Sequence, residues 1–292
     1  MAKKILILLI SVSIIFAREK KPSWFKLARR VDKTRISTDF RDSLVNFYGI
    51  NTDSLRVVTD RTLPFKKHEI MVYEGGWEKL NAGYGIIEST VDTVSRVATL
   101  TGTGVTNNFV SSLYRVRDFV VSEYNIDGLY PIFNEQHISE NRYKKESWVL
   151  FDHKNSRLFT NKKRSEKTDE LDTLSKYEYP VTPFTNDYIS LLFYIRTINY
   201  MPNDTFSANC FVHGKDQLVH FVVHNKDTIT VKAGTFNCIK VEPKLVGKGR
   251  NFTEKDKMML WFTDDKRKIM VKATSKVKLG FIIANLIHYE SE

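Results

Sequence analysis

The chain has 292 residues, enough to bury one large core or two ordinary ones, and its formal charge at neutral pH is +11. Hydrophobic residues make up 42% and charged residues 27%, which excludes global disorder, and 12% aromatic residues favours sheet. The basic balance points toward polyanions or anionic membrane surfaces, yet Lys and Arg are scattered among acids and no nucleic-acid-binding module is legible, so nucleic acid is not an expected partner.

The first stretch, MAKKILILLISVSIIFA, sets Lys3 and Lys4 before an uncharged run from Ile5 to Ala17. That run is shorter than the ~20 residues a spanning helix needs and ends on a small residue, so residues 1–17 read as a secretory signal peptide. Loss of Lys3 and Lys4 takes the charge from +11 to +9. No cysteine follows the run, so no lipid-modified N-terminus is indicated, and no later stretch reads as a transmembrane span. Residues 18–64 form a charged lead-in. Its basic part, Arg18 to Arg35, carries Trp24, Phe25 and Leu27, which suggests contact with a membrane surface. Pro22 and the sparse apolar content favour a solvated leader instead. Within the lead-in, Phe40, Leu44, Phe47 and Tyr48 recur at helical spacing and predict a short helix over 39–48.

From Phe65 onward, β-branched and aromatic residues broken by Gly and Asp predict strands over 68–74, 76–90 and 93–101. Phe109, Leu113, Val116, Val120 and Tyr124 step by four, three, four and four positions, which predicts a helix over 108–124 capped by Asn107 or Asn108. Strands are expected near 129–138, 143–152 and 157–160, followed by a polar loop over 161–176. The run DYISLLFYIRTINY, within 186–200, is apolar almost all round and stops at Met201-Pro202. A helix of that kind has to be covered, here by sheet. It either plugs the sheet as core or lines a ligand cavity with Phe193, Tyr194 and Ile198.

Strands are then expected over 205–213, 218–225, 228–232, 235–245, 257–263, 268–275 and 280–289, joined by short turns at 214–216, 225–227, 233–234 and 247–249. The fold expected for 65–292 is mainly β (α+β), a large curved antiparallel sheet or half-open barrel packed around two or so helices.

Little in this pattern is catalytic. His220 and His224 would suit one metal ion on a helix, but on a strand they stand about 13 Å apart. Even with His213 approaching from a neighbouring strand no third ligand is identifiable, so no metal site is expected. Gly102-Thr103-Gly104 falls between a predicted strand and a predicted helix, but Asn107 replaces the last glycine of a dinucleotide fingerprint, and the segment reads as a flexible joint. Nucleophile elbows, metalloprotease His pairs and phosphate-loop lysines are missing, and no cofactor is expected. Asn203-Asp204-Thr205 and Asn251-Phe252-Thr253 match the glycosylation pattern, a coincidence beside a bacterial-type leader. Cys210 and Cys238 are candidates for one disulfide in an oxidising compartment, the alternative being two buried thiols in strands. The adjacent carboxylates Asp264-Asp265 precede Lys266, Arg267 and Lys268 and lie between two expected strands, so they mark a hairpin turn and stay ionised.

The segments YEGGWEKLNAG (73–83), LYRVRDFVVSEYN (113–125), DYISLLFYIR (187–196), GTFNCIKVEP (234–243) and LWFTDDKRKIMVKATSKVKLGFIIANL (260–286) form a series in order along the chain. Together they resemble the bacterial exported-protein family catalogued as domain of unknown function 3108, over roughly Phe65 to Tyr289, with the lead-in outside it. The resemblance implies a periplasmic or outer-membrane-facing protein with an antiparallel sheet wrapped around helices, and it brings no catalytic residues. The architecture is similar to that of periplasmic carriers of lipoproteins or lipids, whose half-open barrel holds an apolar cavity. The function expected is that of an exported, non-enzymatic envelope protein binding an apolar, lipid-like ligand or an envelope partner. An assembly factor acting through sheet edges or the basic lead-in is the alternative, ahead of an enzyme of unrecognised type.

Overall fold

The computed structural model describes residues 22–292 apart from 36–37, 53, 60, 62, 79, 166–174, 213, 247–256 and 277–279. The expected signal peptide, His213 and the turn 247–249 therefore lie outside the described residues. Four helices are described: α1 Ser23–Ala28, α2 Thr38–Tyr48, α3 Asn108–Ser111 and α4 Tyr188–Thr197. The strands, each antiparallel to its neighbours, make one fourteen-stranded sheet. A first series runs stepwise away from its starting strand: β1 His68–Trp77, β2 Leu80–Asp92, β3 Val97–Thr106, β4 Arg117–Asn125, β5 Tyr130–Glu140, β6 Tyr143–Asp152, β7 Arg157–Ser165 and β8 Ser175–Pro180. After α4 a second series returns: β9 Thr205–Val212, β10 Lys215–Val231, β11 Gly234–Val246, β12 Met258–Thr263, β13 Met270–Lys276 and β14 Phe281–Ser291. β14 pairs with the free side of β1, so the strand order is β8 back to β1, then β14 back to β9. The mainly β expectation is met by a curved, unclosed sheet whose two edges are β8 and β9.

Helix α4 fills the concave side. Its N-cap is Asp187, whose carboxylate accepts from the Ile189 and Ser190 N–H groups, both at 2.9 Å, while Ser190 Oγ accepts from the Asp187 N–H at 3.0 Å. This reciprocal cap is tied to the sheet because Ser122 Oγ of β4 donates to the same carboxylate at 2.6 Å. At the far end Arg196 is buried against Glu69 of β1. Its Nη2 donates to both Glu69 oxygens at 2.9 and 3.1 Å, its Nε donates to the Arg267 carbonyl, and Tyr289 Oη donates to Glu69 at 3.0 Å. Between these polar anchors, Ile189 and Phe193 pack with Met71, Leu100, Tyr124 and Leu286, and Ile195 and Ile198 pack with Phe221, Val241 and Phe262.

Five expectations are corrected. The segment 108–124 is a short helical turn, α3, followed by strand β4: Arg117-Asp118-Phe119-Val120-Val121 is β-branched and aromatic, and its alternate residues serve two buried faces, Phe119 and Val121 against α1, Val120 and Tyr124 against α4. Gly102-Thr103-Gly104 is inside β3 rather than at a joint. A Cβ at Gly102 would stand 2.8 Å from Val120 Cγ1 and 3.3 Å from Ile189 Cδ1, so the glycine admits the plug helix. The expected turn at 225–227 is a bulge within the single long strand β10, and the expected loop over 161–176 gives up its first residues to β7 and its last to β8.

The lead-in is the fifth correction. It is not a solvated leader along its whole length, because Leu27 and Val31 are buried on Val105, Phe119 and Val121 of the convex face. Further on, Ile50 with Leu44, Val45 and Tyr48 covers Phe133, Trp148, Leu150 and Phe159. The expected helix over 39–48 is present as α2. Arg41 pairs with Glu123 of β4. Alternation along β4 to β7 gives the sheet an apolar outer stripe as well as an inner one, and α1 and α2 bury it.

A cationic cleft beside the open seam

The sheet edges β8 and β9 approach without pairing. The Tyr179 and Phe211 rings lie 5.2 Å apart between centroids, Asn186 forms a parallel bridge to Cys210, and the Thr182 N–H donates to Asp216 Oδ2 at 2.7 Å. Inside this seam is a cleft of about 470 Å³. The register sets its floor: Gln136 of β5 faces Ser147 of β6, which faces Lys162 of β7, and Val149 faces Thr160 in the next row. Alternation then points Lys145, Ser147 and Val149 to one face. Tyr179, Phe211 and Val212 supply the opposite wall, and Tyr188, the first residue of α4, supplies the inner end.

The chemistry of this floor is one-sided. Lys145 Nζ donates to Gln136 Oε1 at 2.9 Å, and Lys162 Nζ lies 4.5 Å from the centre of the Tyr177 ring. Neither ammonium forms a salt bridge among the described residues. Burial, and secondarily the like charge of Lys162, pulls the Lys145 pKa below the ordinary lysine value. Ser147 Oγ and Thr160 Oγ1 are buried in the same floor and have no hydrogen-bond partner among the described residues. A buried hydroxyl left unsatisfied costs about 1–3 kcal/mol, so two beside two cations form a surface that an anionic group would satisfy. A larger cleft of about 600 Å³ lies under α2, but there Arg41 is engaged by Glu123 and Asp42, so its charges are already answered.

The residues singled out from sequence are placed elsewhere. Phe193 and Ile198 are buried core, Phe193 stacking on Phe65 at 5.8 Å, and Tyr194 packs against both core clusters. None of the three lines the seam cleft. Cys210 and Cys238 are free buried thiols, which corrects the disulfide. Cys210 faces Gln217 and Cys238 faces Asp227, ten residues apart along β10 or roughly 30 Å of strand, far beyond the ~7 Å a bridge allows. Burial pushes the Cys238 thiol up to about 12 and raises Cys210 as well. His220 interacts with Ser207 Oγ and His224 with Glu242, so the two imidazoles serve separate cross-strand pairs. Asp264-Asp265 is a turn: Asp265 accepts from the Arg267 N–H at 2.9 Å and from Arg267 Nε at 3.0 Å. Although burial opposes it, these bonds hold its pKa below the usual carboxylate value.

Lys145, Ser147, Thr160 and Lys162 escaped the sequence reading. Their signal was the alternation K-E-S-W-V in β6 set against T-N-K in β7, which becomes visible only once the two strands are in register.

Comparison with known proteins adds the following. The family model described as "Protein of unknown function (DUF3108)" matches residues 71–286. None of the curated proteins matches the sequence. Among solved structures, the chain is similar to a β-barrel-like protein of domain of unknown function DUF1849 from Brucella abortus, at 8% identity and a TM-score of 0.51, over 78% of this chain and 98% of that one. A structure described as a "putative lipoprotein" from Parabacteroides distasonis matches at 13% identity and a TM-score of 0.30, over 80% of this chain and 100% of that one. The first likeness establishes a shared barrel-like fold.

Proposed function

The chain belongs to the DUF3108 family, and from that premise we propose that it is an exported, non-enzymatic envelope protein that binds an amphipathic ligand with an anionic head group in the seam cleft. The observation that carries this reading is the floor of the cleft, where Lys145 and Lys162 stand beside the unsatisfied hydroxyls of Ser147 and Thr160. The cleft's volume of about 470 Å³ lies within the range of small-ligand pockets, and its Val149, Tyr179 and Phe211 wall suits an alkyl chain. Residues 1–17 support export, to the periplasm or the periplasmic side of an outer membrane. No helix among the described residues is long and apolar enough to cross a membrane.

Isothermal titration with a single-chain anionic amphiphile such as dodecyl phosphate, against a neutral amphiphile of the same chain length, tests the reading. Wild type is expected to prefer the anion. Lys145→Ala/Lys162→Ala should weaken its binding by at least about a hundredfold, because each of the two charge-assisted bonds contributes about 1.5–3 kcal/mol. Equal affinity for both amphiphiles, or an unaffected double variant, overturns it.

A further inference from the structure

The antiparallel meander gathers alternate turns at one end of the barrel. The β1–β2 turn, the α3 segment between β3 and β4, the β5–β6 turn and the start of β14 share that rim, since Trp77 at the end of β1 faces both Leu80 of β2 and Ile282 of β14. The Asn107 N–H donates to the Ala82 carbonyl, which fastens the α3 segment beside the β1–β2 turn. Along this rim Trp77, Leu80, Phe109, Leu113, Phe281 and Ile282 are all exposed, Phe109 by 68% and Leu113 by 76%. At the opposite end the exposed large apolar side chains include Val94 in the β2–β3 turn and Met201 just after α4.

An arc of exposed aromatic and aliphatic side chains costs solubility unless something covers it, and its charge setting selects the cover. Arg115, Arg142, Lys257 and Lys276 stand at the same rim. Two carboxylates at this rim, Glu78 and Glu140, accept from neutral donors, the Phe281 N–H and Tyr114 Oη, and the four cations form no salt bridge among the described residues. Apolar side chains projecting from a ring of cations match an anionic bilayer, where the alkyl and aromatic groups enter the headgroup boundary and the cations meet lipid phosphates. We propose that this rim, centred on the α3 segment and the β1–β2 turn, docks the protein on an anionic lipid surface. The inference stands on the rim alone and does not require that the seam cleft hold a ligand.

Vesicle co-sedimentation tests it, using phosphatidylcholine vesicles and vesicles with about one part phosphatidylglycerol to two parts phosphatidylcholine. Wild type is expected to bind the anionic vesicles, to be released progressively by salt, and to bind pure phosphatidylcholine far less. Phe109→Ser/Leu113→Ser, both positions exposed, should retain the wild-type circular dichroism spectrum and melting curve and lower the partition constant at least about tenfold. A second variant, Trp77→Ser/Leu80→Ser, should act in the same direction and guards against a fold defect in the first. Failure of wild type to bind anionic vesicles, or binding that both rim variants leave unchanged, overturns the proposal. So does concentration-dependent dimerisation in lipid-free buffer that the rim variants abolish, since the arc would then be covered by a second copy of the chain.

Discussion

Asp118 lies near the rim end of β4, where its carboxylate accepts from the Ser139 N–H at 2.9 Å. Burial, with Glu140 adding to it against that bond, raises its pKa to about 6. An acid whose folded pKa exceeds its unfolded value of about 3.9 contributes stability below the unfolded pKa and loses it as pH rises through the folded one. Asp118→Asn keeps the acceptor for Ser139 and cannot ionise. Its melting temperature should therefore exceed that of wild type above pH 6 and converge with it below about pH 4, and an equal gain at both ends of a melting series would exclude the titration as its cause. Arg196 presents the opposite case, a cation buried with its counter-charge Glu69. Removing one member of such a pair strands the other, so Arg196→Ala is expected to cost about 3–5 kcal/mol in chemical denaturation, whereas Glu69→Leu/Arg196→Met should cost less than either single change.

Helix α4 shows how an element's role follows from its surroundings more than from its own sequence. Its apolar circumference is evident in ISLLFYI, yet the same run would serve a ligand cavity or a packed plug, and only the neighbours decide. Phe193 is fully buried in the core cluster that holds Tyr124, and it stacks on Phe65. Phe193→Ala should destabilise by about 3–5 kcal/mol while leaving amphiphile affinity in the seam cleft within about threefold; the reverse pattern, lost affinity with intact stability, would make α4 the ligand wall. The error over 108–124 has a related origin. Residues buried on both faces of a strand satisfy several periodicities at once, and the steps from Phe109 to Tyr124 fit a helix only while the buried Phe119 and Val121 are left out of the count. The strands of the C-terminal half were legible because turn formers such as Ala233-Gly234 and Asp264-Asp265 punctuate them. The cleft was not, because its four polar residues come from strands whose mutual register is set by pairing rather than by local sequence.

At the scale of the whole molecule, the resemblance in the family segments anticipated a curved sheet around helices, and the open seam makes that sheet asymmetric. One edge is lined by Tyr177 and Tyr179 and the other by Phe211, with the cationic cleft between them and the apolar rim at the same end. The N-terminal lead-in lies outside the matched family segment, yet it supplies the cover for the convex face, so the outer stripe of β4 to β7 depends on a part of the chain that the family pattern does not describe. The pairing of β1 with β14 has a further consequence, in time rather than in space. Glu69 and Ser291 are register partners separated by more than 200 residues, whereas nearly every other pairing joins consecutive strands. The two meanders can form locally and fast, but their junction waits for the final strand, and with it the buried contact of Tyr289 with Glu69. The middle of the sheet therefore closes last, and pairing of the C-terminal strand with β1 is the event that joins two preformed halves into one folded state.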